Sequence, residues 1–269
     1  MAVVDTHCHA SPYWFEPVEV LVNEMDQNGV DKAVLIQFRG VFDNSYMIDC
    51  VRRYPGRFSM AAIVDTDAED APAKLEGWVK EGAEAVRLDP SVRSPGSDPL
   101  AIWRKAAELG IAVSILGTAE EFASPGFEAV VKEFPNLAII IEHLGGVGAF
   151  FGGGRSSSEV PYDEYRKVLA LAAYPNTYMK IPGLGEFCPR PVPFRQPMPF
   201  ADVPPLIEMA IEAFGARRLT WGSDFPPVAA REGYGNALSF PRDNVKFASE
   251  EDKEWVFGKT AEGLFRFGA

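Results

Sequence analysis

Short runs of β-branched and aliphatic residues alternate along this chain with longer stretches whose apolar positions recur every three to four residues. The first run is Val3–Thr6, and the same pattern predicts strands over 32–37, 58–64, 85–88, 111–116, 137–142, 177–181 and 219–221. Amphipathic helices are predicted between and after them, over 17–28, 44–54, 71–81, 99–109, 125–134, 162–173 and 203–214, with two more near 250–257 and 261–267. Gly29 and Gly110 stand where the first and fourth helices should stop. Strict alternation implies a parallel sheet, and eight strand–helix units imply closure into a (β/α)8 TIM barrel of the α/β class. An open doubly wound sheet is the competing architecture. It is disfavoured because no Gly-x-Gly-x-x-Gly turn follows the first strand.

With 269 residues, 47% of them hydrophobic, and no apolar run long enough to span a bilayer, the sequence reads as one soluble domain over 1–269. Two connections, 145–160 (rich in Gly and Ser) and 183–204 (crowded with Pro, Phe and Arg), follow strands six and seven. They are expected to lie over the active-site face, since such barrels carry their chemistry at the C-terminal ends of the strands. The first strand begins too early to leave room for a signal peptide, and three scattered cysteines (Cys8, Cys50, Cys188) fit a reduced compartment. A cytoplasmic location is therefore expected. The net charge of −12 argues against nucleic-acid or anionic-membrane partners, although a local arginine cluster can still receive an anionic small molecule. Exposed Phe and Trp on outer helices would suit a homodimer.

The candidate chemistry lies at the strand ends. His7 and His9, two apart on a strand, project from the same face while Cys8 points away. Paired imidazoles can chelate a divalent metal or line a polar pocket. The third histidine, His143, ends strand six, and Asp224 follows strand eight. Arg87 and Lys180 lie inside the apolar runs of strands four and seven, and Gln37 and Arg39 end strand two. Each has a plainer reading: His143 as a polar core residue, Asp224 as a cap, Lys180 as a snorkelling stem. Glu142 is expected to alternate away from the face of His143. The gathering of every histidine and one aspartate at one rim favours a site.

These residues carry a resemblance. Val4-Asp-Thr-His-Cys-His9, Met25-Asp-Gln-Asn-Gly-Val-Asp-Lys-Ala-Val34, Arg53-Tyr-Pro-Gly-Arg-Phe58, Val86-Arg-Leu88, Ile140-Ile-Glu-His-Leu-Gly145, Leu219-Thr-Trp-Gly-Ser-Asp-Phe-Pro226 and Leu264-Phe-Arg-Phe267 stand in order along nearly the whole chain. The chain resembles the amidohydrolase superfamily, and within it the group that includes 2-pyrone-4,6-dicarboxylate lactonase and other sugar and aromatic-pathway lactonases. The resemblance implies a barrel hydrolase. His7, His9, Asp224 and His143 would match its metal residues, with Asp224 and His143 catalytic and Asp224 taking the proton of the attacking water. The chain departs from the family at strand five, where Leu116 or a neighbour replaces a histidine, and at strand four, where Arg87 stands in place of a bridging ligand. One divalent ion, zinc or manganese, is therefore expected rather than two, and some members of the group work without metal.

The expected reaction is opening of a lactone or ester of a small carboxylated substrate, the anion being held by Arg87, Gln37, Arg39 and Lys180. Arg190 is a weaker candidate. Phe187, Phe194 and Phe200 could cover the site. Two other readings stay open: a metal-dependent decarboxylase of an aromatic or unsaturated acid, and a non-catalytic metabolite-binding barrel.

Overall fold

A computed structural model describes residues 2–147, 160–188, 193, 195–200 and 202–268. The predicted strands form: β1 Val4–Cys8, β2 Lys32–Ile36, β3 Phe58–Ala62, β4 Ala85–Leu88, β5 Ala112–Ile115, β6 Ile139–Ile141, β7 Thr177–Ile181 and β8 Leu219–Trp221. They pair in parallel in chain order. Closure of β8 onto β1 is made by a parallel bridge between Cys8 and Phe225, with Asp224 N donating to His7 O (2.8 Å) and His9 N to Phe225 O (2.8 Å). The result is a (β/α)8 TIM barrel, as the periodicity predicts.

Alternation along the strands sorts their side chains into two cores. Val4, Val34, Ile36, Ala61, Ala85, Ala112 and Ile140 form the inner cluster, whereas Cys8, Leu35, Met60, Val86 and Val113 pack outward with the helices. The inner cluster is closed at the N-terminal end of the barrel by Phe265 and Phe267. Glu84 anchors that segment by accepting the N–H groups of Arg266 (2.7 Å), Phe267 (3.2 Å) and Gly268 (3.1 Å). One end is therefore plugged, and the polar residues collect at the other.

Helix α1 (Val18–Asn28) ends at Gly29, which takes the predicted left-handed conformation (φ 68°). Two expectations need correction. The separate helices predicted near 250–257 and 261–267 are one helical run over 250–264, widened by a π-turn at Trp255–Lys259, and Phe265–Phe267 leaves it to plug the barrel. A helix at Tyr234–Asn244 escapes the sequence pattern because Gly235 and Pro241 interrupt its apolar repeat. It packs beneath the rim, where Trp221 Nε1 donates to Ala237 O (2.9 Å). Of the two long connections, 148–159 and most of 189–194 lie outside the described residues, and with them Arg190 and Phe194.

Candidate active site

The register of β1 against β2 slips between Asp5 and Cys8, a bulge that re-aims the strand end. Val4 joins the inner cluster, Cys8 the outer, and His7 and His9 bring their rings to 5.1 Å. His143 approaches His7 to 4.5 Å between ring centroids. The turn that delivers Asp224 is held from behind by Asp5. Its carboxylate accepts Ser223 N (2.9 Å), Ser223 Oγ (2.6 Å), His7 N (3.0 Å) and Tyr234 OH (3.0 Å). Asp224 itself sits in the left-handed region (φ 57°), a conformation that costs an L-residue about 1 kcal/mol or more. Here it lets the backbone bond β1 while the carboxylate turns to the imidazoles.

The donor set fits a divalent metal. Asp224 Oδ1 lies 3.5 Å from His9 Nε2 and 3.8 Å from His7 Nε2. Ligands about 2.1 Å from a tetrahedral ion stand about 3.4 Å apart. His9 Nδ1 donates to Ile36 O (2.6 Å), which leaves Nε2 its lone pair. His7 Nε2 is buried without a hydrogen-bond partner. Burial first, then Lys180, holds His7 well below its usual range, so the ring is neutral as ligation requires. His7 Nδ1 faces Lys180 Nζ (3.3 Å) and Glu142 Oε1 (3.8 Å), and the tautomer with its hydrogen on Nδ1 would leave Nε2 free to ligate. Two further groupings, His143–Glu186–Asp224 and His7–Glu142–His143, also gather donor atoms.

Around this set, carboxylates and cations alternate. Burial would raise Asp224's pKa, but the neighbouring His9 and the His143 and Arg231 charges bring it below the usual value. His143 Nδ1 donates to Glu186 Oε1 (2.8 Å), and that pairing outweighs burial to hold the imidazole above its usual pKa. Arg231 Nη1 bridges Asp224 Oδ2 (3.1 Å) and Glu186 Oε2 (3.5 Å).

The residues expected to hold substrate are engaged with partners of their own. Arg87 forks onto Glu142 through Nε (3.2 Å) and Nη2 (2.7 Å), and its Nη1 donates to Gln37 O (3.0 Å). Gln37 turns its amide onto its own loop, at Asp43 O and Phe38 N. Arg39 pairs with Asp89 (2.5 Å) at the exposed rim. Lys180 is buried among Ser114 Oγ (2.8 Å), His7 Nδ1 (3.3 Å) and Glu142 Oε1 (3.6 Å), and burial brings its pKa down to about 8 against the pull of Glu142. Of the covering aromatics, Phe187 is buried in the core and Phe200 packs on Phe240. The ring over the site is Phe15, stacked on His9 at 5.4 Å.

Glu142 reverses its expectation. It does not turn away from His143; it faces the same interior, accepting Arg87 and Ser114 Oγ (2.6 Å). His143 has φ 51°, and this left-handed turn at the end of β6 breaks the alternation that the expectation relied on. The strong Arg87 and Lys180 charges overcome burial and keep Glu142 ionised, far below the usual carboxylate range. Glu186 and Arg231 were also missed. Both lie on irregular segments after β7 and β8, where no periodicity marks an inward side chain. Asp5 did leave a signal: a charge inside an apolar strand.

Gly222 makes the close approach of β8 to β1 possible. A Cβ there would lie 2.5 Å from His7 Cβ and 3.0 Å from His7 N. Gly222→Ala should push β1 away and cost about 1–3 kcal/mol. Thermal unfolding combined with metal titration is the check, and an unchanged melting curve would contradict the contact.

Known proteins share this architecture. The amidohydrolase family model matches residues 4–267. L-fucono-1,5-lactonase from Burkholderia ambifaria is 27% identical over 259 residues, spanning 89% of this chain and 81% of that protein. Among solved structures, a protein assigned as a 2-pyrone-4,6-dicarboxylic acid hydrolase from Pseudomonas putida superposes with TM-score 0.74 at 20% identity, over 100% of this chain and 98% of its own. An amidohydrolase from Burkholderia multivorans with bound zinc gives TM-score 0.74 at 17% identity, over 98% of this chain and 99% of its own.

Proposed function

The chain belongs to the amidohydrolase family, and from that premise we propose that it opens a lactone by adding water to the ring carbonyl, with Asp224 as the base. The observation that carries this is the placement of Asp224 Oδ1 against the Nε2 atoms of His7 and His9, at 3.8 and 3.5 Å. His7, His9 and Asp224 would hold one divalent ion, zinc or manganese, which when bound would acidify a water and polarise the carbonyl.

The chain's own groups do the rest. Asp224 takes the proton as the water oxygen bonds to the carbonyl carbon. His143, oriented by Glu186, donates a hydrogen bond to the oxyanion that develops. When the ring C–O bond breaks, the proton held at Asp224 passes to the leaving alkoxide, and a hydroxy acid departs. Phe15 shields the His9 side of the site from water.

The substrate we favour is a neutral, hydroxyl-rich lactone rather than the anionic one expected from the sequence. Among the described residues, the basic side chains of the site are already matched: Arg87 by Glu142, Arg39 by Asp89, Lys180 by Glu142 and Ser114, Arg231 by Asp224 and Glu186. The cleft is lined by Asp65, Asp67 and Asp89 together with Arg39, Arg87, Phe42 and Val64, so its carboxylates outnumber its guanidiniums. Carboxylates accept hydroxyl donors and repel carboxylate substrates. The curated relative named for a sugar lactone agrees with this preference.

An assay on an aldonolactone and on a lactone dicarboxylate, followed by acid release, tests both parts. The neutral lactone should be preferred by at least about tenfold in kcat/KM, an edge of about 1.4 kcal/mol. Preference for the dicarboxylate would overturn the substrate class. Release of carbon dioxide without ring opening would overturn the reaction.

A further inference from the structure

The groupings able to hold an ion overlap in an instructive way. His7–His9–Asp224 and His143–Glu186–Asp224 share only a carboxylate, whose two oxygens can serve two ions at once. His7–Glu142–His143 takes an imidazole from each of them and cannot be filled beside either. The first and second groupings are therefore the compatible pair.

The second already faces a cation. Arg231 Nη1 lies 3.1 Å from Asp224 Oδ2 and 3.5 Å from Glu186 Oε2, and its Nε lies 3.7 Å from Glu232 Oε2. Asp224, Glu186 and Glu232 have side chains almost wholly shut from solvent, so any charge they carry needs a partner inside the protein. A guanidinium cannot surrender its proton, so this partner is permanent.

We propose that Arg231 occupies a second metal locus, and that its guanidinium is what limits this active site to one divalent ion. The inference rests on the reading that His7, His9 and Asp224 hold the first. In carboxylate-bridged pairs the ions sit about 3.5–4 Å apart, the bridging oxygens being those of one residue. Asp224 presents that arrangement, with Oδ1 toward the imidazoles and Oδ2 toward Arg231. Arg231 is thus a positioning residue. It anchors Oδ2 and leaves Oδ1 turned to His7 and His9. Removing it strips the guanidinium from Asp224 Oδ2, Glu186 Oε2 and Glu232 Oε2 while His143 stays on Glu186 Oε1, and a divalent ion is the natural replacement.

The test is manganese titration of the full chain, read as metal per chain by plasma mass spectrometry and as the electron paramagnetic resonance spectrum. Wild type and Arg231→Lys should take up one Mn2+ with an uncoupled spectrum. Arg231→Ala and Arg231→Gln should take up two, with the spectrum of an exchange-coupled pair. An alanine chain that folds only when Mn2+ is supplied would support the same conclusion. Where wild type binds one ion, Ala and Gln variants that also stop at one uncoupled ion would overturn the proposal, as would a wild type that binds two. If wild type binds none and Arg231→Ala binds one, lost again on adding His143→Ala, the second locus stands and the reading of the first fails. No uptake by any of the chains would remove both.

Discussion

Asp224→Asn is expected to lower kcat by about 10²–10⁴-fold while KM moves only a few-fold. The substitution keeps the volume of a side chain that is almost fully buried, so the β8 turn and its backbone bond to His7 should survive. What it removes is the charge that Arg231 and the imidazoles surround. An amide cannot take the proton of the attacking water, and it ligates a cation more weakly than a carboxylate does. Metal content should therefore be measured on the same samples, and kcat compared at full occupancy. A loss that falls equally on kcat and on substrate binding would place Asp224 in recognition rather than in proton transfer. Unchanged turnover would remove it from the site altogether.

Arg87→Met should cost about 3–5 kcal/mol of stability, lowering the melting temperature by roughly 10 °C. Glu142 is buried and ionised, and Arg87 supplies two of its hydrogen bonds. Lys180 and Ser114 remain beside it, which argues for the lower end of that range. The sign of the pH dependence follows from the depressed pKa. The stability that Glu142 gains from its partners is fully present above its usual value of 4.5 and is lost as pH falls toward its folded value. The gap between wild type and variant should thus be widest near neutrality and close in acid, where Glu142 can protonate. Melting curves taken from neutrality to well below the usual value of 4.5 would show this. A variant that melts like wild type but shows a raised KM would instead restore Arg87 as the anchor for a substrate carboxylate.

These two residues illustrate what a linear reading can and cannot reach. Asp224 stands out because Trp221-Gly-Ser-Asp-Phe225 ends the last strand, where barrel chemistry concentrates. Arg87 stands out as a charge within an apolar strand. Its pairing escapes a linear reading because strand alternation places its partner, Glu142, on the opposite face. Strand alternation is reliable only while φ stays extended, and His143 leaves that region. The same limit hid the β1 bulge, although His7 and His9 still bring their rings together at the strand end. The helix at Tyr234–Asn244 was hidden by Gly235 and Pro241, yet it supplies Tyr234 to Asp5 and so steadies the turn carrying Asp224.

By itself, the sequence determined the strand count, the parallel order and the rim to which the three histidines and Asp224 belong. Those properties follow from local periodicity and strand-end position, which are written residue by residue. Tertiary structure alone decided which charges meet. Arg87 finds Glu142 across 55 residues, His143 finds Glu186 across 43, and Lys180 finds His7 across 173. The reason is energetic: a buried charge must be paired somewhere, and which partner it takes depends on where the closed barrel brings distant strand ends together.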